Sequence, residues 1–155
     1  MIELPCAVEL VNEMAKAADF LSIGSNDLIQ YLLAVDRTND QVSHMYLDYH
    51  PAVLRSLNRI VQAGIKHNTS VSLCGEMATR KEMIPFLLGI GLKKFSVDPR
   101  SIASVQSAVE SGSLKDYQEE ASEMLALSTI QEVEKFLSAR KTEANRCAES
   151  GHSTE

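Results

Sequence analysis

The chain has 155 residues, 45 % of them hydrophobic and 23 % charged, and 21 acidic residues against 15 basic ones give a formal net charge of −6. That composition excludes a disordered or collagen-like chain and supplies enough apolar residues for a core. The negative balance and the lack of a long Lys/Arg run argue against a nucleic-acid partner, because a phosphate backbone needs a basic surface.

Residues 1–4 are apolar apart from Glu3 and read as the end of a strand; Pro5 then interrupts, and AVELVNEMAKAA carries Val8, Val11, Met14, Ala15 and Ala18 at helical spacing. DFLSIG (19–24) is a second strand that stops at Gly24, and Asn26-Asp27 can cap a following helix, LIQYLLAV. The polar loop DRTNDQVSH leads to His50-Pro51, where proline suits the first turn of AVLRSLNRIVQAGIKHN. Val53, Leu57, Ile60, Val61 and Ile65 fall along one side of that helix. SVSLC (70–74) is a third strand ending at Gly75, and RKEMIPFLLGIG reads as a helix with an internal Pro85 that finishes near Gly89 or Gly91. KKFSV (93–97) is the fourth strand. Helical patterns return in SIASVQSAVES and KDYQEEASEMLAL, and Ser128 with Gln131, or Thr129 with Glu132, offers capping-box spacing for a last helix ending near Arg140. Residues 141–155 have almost no apolar content and are expected to be disordered.

Strands alternating with helices imply an α/β fold with a parallel sheet and right-handed crossovers, doubly wound or barrel-like. Four strands do not close, and a complete (β/α) barrel takes about 250 residues. If these are barrel units, the chain is about half of one, over residues 1–140 and ending in C-terminal helices. No run approaches the roughly 18 apolar residues of a membrane span, and the start lacks a signal-like segment, so a cytoplasmic location without membrane partners is expected. Cys6, Cys74 and Cys147 are widely spaced, with no C-x-x-C pair, and read as free thiols.

Acidic, amide and thiol groups fall at the carboxyl ends of successive strands: Glu3 on the first, Asn26 and Asp27 on the second, Cys74 and Glu76 on the third. Parallel α/β folds build their sites there. Each residue also has a plain structural reading: Glu3 as an exposed residue, Asn26 and Asp27 as helix caps, Cys74 as a small buried hydrophobe, and Arg37 as a solvated loop arginine. Glu3 and Asp27 suit magnesium, which takes oxygen ligands, and Arg37 carries a planar fork of donors suited to a phosphate. His44, His50, His67 and His152 show no metal-ligand spacing, and there is no Walker-type loop.

MIELP, FLSIGSNDLIQYLLAVDRTND, HPAVLR and VSLCGEMA stand in an order and spacing that resembles the phosphoenolpyruvate-binding domain of the phosphoenolpyruvate-protein phosphotransferases, enzyme I of the sugar phosphotransferase system and its nitrogen-related paralogue. Pyruvate phosphate dikinase and phosphoenolpyruvate synthase are more distant. The resemblance runs from residue 1 to about residue 140 and implies a (β/α) barrel. By position, Glu3 and Asp27 match magnesium carboxylates, Asn26 and Arg37 match residues that hold the phosphate, and Cys74 matches a thiol that exchanges a proton with the methylene carbon. The implied chemistry moves the phosphoryl group to an enzyme histidine and leaves enolpyruvate, which is protonated to pyruvate; a thiol, ordinarily protonated at neutral pH, can act as the acid.

Asp98 and Thr79-Arg80 depart from the family pattern, the phosphohistidine domain is absent, and Met1 stands just before a motif that is internal in the family. The chain is therefore expected to be a fragment, inactive alone, with phosphoenolpyruvate and pyruvate as ligands, a phosphocarrier protein met through absent domains, and a homodimer as its assembly. Competing readings are a magnesium-dependent lyase or aldolase of a related barrel, and a non-catalytic dimerisation fragment.

Overall fold

The computed structural model describes residues 1–150, with side chains to residue 142. Cys147 and His152 lie outside those limits.

Three β-rich runs form parallel strands, β1 (Phe20–Gly24), β2 (Ser70–Cys74) and β3 (Lys94–Ser96). They lie in chain order, with Gly24 opposite Cys74 and Cys74 opposite Ser96, so the carboxyl ends are level. Residues 1–4 add only a single bridge, Ile2 opposite Ile23, in which the Ile2 N–H donates to Ser22 O at 2.7 Å and the Gly24 N–H to Ile2 O at 3.0 Å. The expected four-strand half barrel is thus corrected to three strands and a one-residue bridge. Pro5 gives the reason: its fixed φ starts a helix directly after Leu4 and ends the extended segment. The strand order has no reversal, which distinguishes it from a doubly wound sheet.

Proline and local caps also decide the helices. The expected helix over 7–18 is two, α1 (Pro5–Glu9) and α2 (Val11–Ala17), broken at Leu10. Next, α3 (Ser25–Leu33) follows β1 without a loop and ends at Ala34 in the left-handed region, φ 54°. Its N-cap is Gly24, with no side-chain capping bond, so Asn26 and Asp27 sit inside the first turn and the capping reading of both is overturned. Pro51 opens α4 (Pro51–His67), where His50 Nδ1 accepts from the Ala52 N–H at 3.1 Å.

The helix expected over 80–91 is replaced by two 3-10 turns, Glu76–Thr79 and Lys81–Met83, and a short α5 (Ile84–Gly89). Pro85 lacks an N–H and its ring would clash with the carbonyl four residues back, so an α-helix can only begin there. The Asp98 side chain accepts from the Arg100 N–H at 2.9 Å and opens a 3-10 turn into α6 (Ile102–Glu110). A Ser113/Asp116 capping box starts α7 (Leu114–Ala126). The reciprocal Thr129/Glu132 bonds, 3.2 and 2.9 Å, start α8 (Ile130–Ser150), so of the two spacings it is Thr129/Glu132 that forms. That helix passes Arg140, its expected end, and runs to Ser150.

The buried cluster runs from Ile2 to Val133 and has Ile23, Leu54, Leu57, Ile60, Leu73 and Phe86 at its centre. On it α2 and α7 pack against α4, and α5 against α7. Among the described residues no helix is long and apolar enough to cross a membrane.

One loop is fastened to the C-terminal helix. The Tyr49 hydroxyl donates to Glu134 Oε1 at 2.8 Å, while Arg80 pairs with Asp48 and stands 5.4 Å over the Tyr49 ring. Burial first, and then the Glu134 bond, pushes the Tyr49 phenol up to about 12, so it stays a donor. Tyr49→Phe is expected to cost about 0.5–1.5 kcal/mol, the net worth of one hydrogen bond. Urea unfolding with an unchanged midpoint would count against the tie.

Candidate functional site

The level carboxyl ends of β1 and β2 make one mouth. There the Ser25 hydroxyl donates to Cys74 O at 2.7 Å, carrying the pairing of the two strands one residue further. Glu3, in the segment bridged to β1, lays its carboxylate over Gly24: a Cβ on Gly24 would stand 2.7 Å from Glu3 Oε2 and 3.2 Å from Glu3 Cβ. Only a residue without a side chain leaves that cradle open. Asp27 lies half-buried in the first turn of α3, where a negative charge is favoured by the helix dipole.

Asn26 reaches away from its own helix. Its Oδ1 accepts from the Glu76 N–H at 3.0 Å, and its main-chain O accepts from the Tyr46 hydroxyl at 3.2 Å. Glu76 is brought there by Gly75, whose φ of 97° and ψ of −176° are almost closed to other residues. Arg37 returns to the same mouth after the left-handed turn at Ala34, with its N–H donating to Gln30 Oε1 at 3.3 Å and its Nη1 to Glu76 Oε1 at 2.9 Å. Beside it the Thr38 N–H and hydroxyl, each 2.8 Å from Asp36 Oδ1, pin the loop and hold the Asp36 carboxyl below the usual carboxylate range. The Cys74 Sγ points along the sheet to Ile23 O at 3.4 Å. That is a weak bond, and one from which a thiol can be diverted.

Glu3, Asn26, Asp27, Arg37 and Cys74 thus share one end of the sheet. The arrangement offers one carboxylate over Gly24, a second in the first turn of α3, an amide, a guanidinium and a thiol. No group of three or more His, Cys, Asp or Glu residues with metal-holding geometry occurs among the described residues.

Residues 1–114 match the family described as PEP-utilising enzyme, PEP-binding domain. The chain belongs to that family. It is 42 % identical over 137 residues to a phosphoenolpyruvate-protein phosphotransferase of Priestia megaterium and 39 % identical over 137 residues to that of Bacillus subtilis, in each case over 88 % of this chain and 24 % of the relative. A phosphoenolpyruvate-protein phosphotransferase of Lactococcus lactis is 40 % identical over 134 residues, 86 % of this chain and 23 % of its own length. The chain therefore spans about a quarter of the length of these curated relatives. The five mouth residues all fall inside the family match.

Sequence reasoning did not find Tyr46, Ser25 or the part played by Glu76. Ser25 and Glu76 lie within the motifs SIGSND and CGE, which were legible. Tyr46 stands in no motif, and only the folded loop brings it 20 residues back to Asn26.

Proposed function

We propose that this mouth is the phosphoenolpyruvate end of a phosphoenolpyruvate-protein phosphotransferase, built on the wall of a (β/α) barrel of which this chain supplies part. The supporting observation is the fixed orientation of Asn26. With Oδ1 occupied by the Glu76 N–H, the side-chain NH2 is left as a donor, and Arg37 is tied to the same Glu76 through its carboxylate; an amide and a guanidinium are groups that suit a phosphate.

In that reading Arg37 and Asn26 grip the phosphate of phosphoenolpyruvate while its P–O bond to the enol oxygen breaks and a bond to a histidine outside this chain forms. The Cys74 thiol then gives its proton to the methylene carbon, yielding pyruvate, and recovers a proton from solvent. In this reading Glu3 and Asp27 would hold a magnesium ion, since both are hard oxygen donors at this end of the sheet and a side chain at Gly24 would crowd the Glu3 carboxylate. When bound, that ion supplies positive charge to the oxygen that becomes anionic.

Calorimetric titration with phosphoenolpyruvate is expected to show binding that requires magnesium, and incubation with labelled phosphoenolpyruvate should leave no acid-labile phosphate on the chain. Absence of magnesium-dependent binding would overturn the site. Stoichiometric phosphohistidine would overturn the placement of the acceptor elsewhere. The larger enzyme's partner would be a phosphocarrier protein.

We also infer a cytoplasmic homodimer. Among the described residues β3 pairs on one side only, and Phe20 and Leu10 are 68 % and 56 % exposed, a combination of open edge and bare apolar surface that stable proteins cover. Light scattering at micromolar concentration is expected to give about twice the 17.1 kDa of the chain. A cooperatively folded monomer would refute it.

A further inference from the structure

Asn26 is gripped from two sides. On one side the Tyr46 hydroxyl donates to its main-chain oxygen at 3.2 Å; on the other the Glu76 N–H donates to its side-chain oxygen at 3.0 Å. An amide can turn over, exchanging its acceptor end for its donor end, unless one end is claimed. Here the acceptor end is claimed by a main-chain donor that cannot turn, and the main chain of Asn26 is held by a second bond. We infer that Tyr46 and Glu76 are positioning residues, which keep the Asn26 side-chain NH2 aimed at the ligand and the acceptor end away from it. The inference rests on the phosphoenolpyruvate reading only for the identity of that ligand.

Four further features agree with the assignment. Tyr46 packs partly buried against the core, so its ring has little freedom to swing away. Burial, with the Glu76 charge adding to it, pushes the phenol up to about 12, which keeps the hydroxyl a donor throughout the neutral range. Its loop is also anchored beyond the site, since Tyr49, three residues on, is bonded to Glu134 of α8. The carboxylate of Glu76 meanwhile holds Arg37 at 2.9 Å, so one residue orients both phosphate donors, through its main chain and its side chain respectively.

Tyr46→Phe keeps the ring and removes only the hydroxyl. Amide hydrogen exchange followed by NMR is expected to show the Glu76 N–H exchanging about threefold to tenfold faster, the range one net hydrogen bond supplies, with the amides of β1 and β2 unchanged. Calorimetry on the same variant should show phosphoenolpyruvate affinity falling by about the same factor while magnesium affinity stays within about twofold. Unchanged exchange at Glu76, or a uniform rise across the whole sheet, would overturn the positioning role. If the parent chain binds no phosphoenolpyruvate, the ligand reading fails, and the exchange result still decides whether Asn26 is positioned. Should Tyr46→Phe not fold, Asn26→Ala tests the same link: the Glu76 N–H loses its acceptor and must exchange faster, and unchanged exchange there refutes the clamp.

Discussion

A Gly75→Ala variant is expected to lose phosphoenolpyruvate affinity by more than about tenfold and to lose about 1–3 kcal/mol of stability, the cost of holding a side chain in a region of backbone space essentially reserved to glycine. At φ 97° and ψ −176° Gly75 lies in that region, and it sits between the end of β2 and the Glu76 amide that holds Asn26. Strain is only the first effect. A Cβ there would stand 2.7 Å from Asn26 Oδ1 and would also run into the Ser25 hydroxyl, which donates to Cys74 O. Backbone relief that moves Gly75 also moves the Glu76 N–H, so the amide of Asn26 loses its fixed partner and Arg37 loses its fixed carboxylate. Denaturant unfolding and calorimetry measured together separate the two consequences. Lost stability with intact binding would mean that the turn supports the fold and not the mouth.

What the sequence made legible follows from which interactions are local. The apolar period of α4, its Pro51 start and the β-rich runs 20–24 and 70–74 depend on neighbours a few residues away, so pattern alone locates them. The same holds for the Thr129/Glu132 box. Residues governed by distant partners were misread. Asn26 looks like a helix cap because Asn is a common one, yet its side chain bonds to an amide 50 residues away, and the helix starts on Gly24 instead. The first strand shrank to one bridge because a paired edge needs length that Pro5 denies it, and the helix over 80–91 shortened because Pro85 could only begin it.

The grouping of the candidate residues at one end of the sheet was legible at a coarser grain. Placing Glu3, Asn26, Asp27 and Cys74 at strand ends required only the strand boundaries and the parallel order, which put all such ends on one side. Arg37 needed more, since a loop arginine can point anywhere; the left-handed turn at Ala34 and the Gln30 bond that bring it back carry no sequence signature of their own. Arg80 breaks the expected turn pattern and finds its use outside the mouth, paired with Asp48 and stacked on Tyr49. A departure from the pattern thus marks a contact between the loop and the remainder of the fold and leaves the mouth residues as they are.

The Glu120–Arg140 pair that joins α7 to α8 should make stability depend on pH in a direction opposite to most carboxylates. The Glu120 side chain is 5 % exposed and Arg140 45 %, and burial raises the Glu120 carboxyl above its ordinary value, with the attraction of Arg140 working against that rise and nearby Glu123 adding to it. A raised pKa in the folded state means that folding favours the protonated form. The stabilisation from this group is therefore complete below the ordinary carboxylate range and is lost as pH climbs through the raised value. Arg140→Ala removes the opposing attraction while keeping a good helix former in α8, so the carboxyl should rise further and the penalty should concentrate at neutral pH. A loss of about 1–3 kcal/mol is expected near pH 7, the cost of leaving a buried acceptor without its partner, and a much smaller loss near pH 4, where Glu120 can take up a proton. Glu123 lines the same cavity of about 370 Å³ and makes the neutral-pH penalty larger by repelling the uncompensated charge. Denaturant midpoints of the parent and of Arg140→Ala at the two pH values measure the difference, and Glu120→Gln in the Arg140→Ala background should recover most of the loss near pH 7. An equal loss at both pH values would show that Arg140 acts through packing alone.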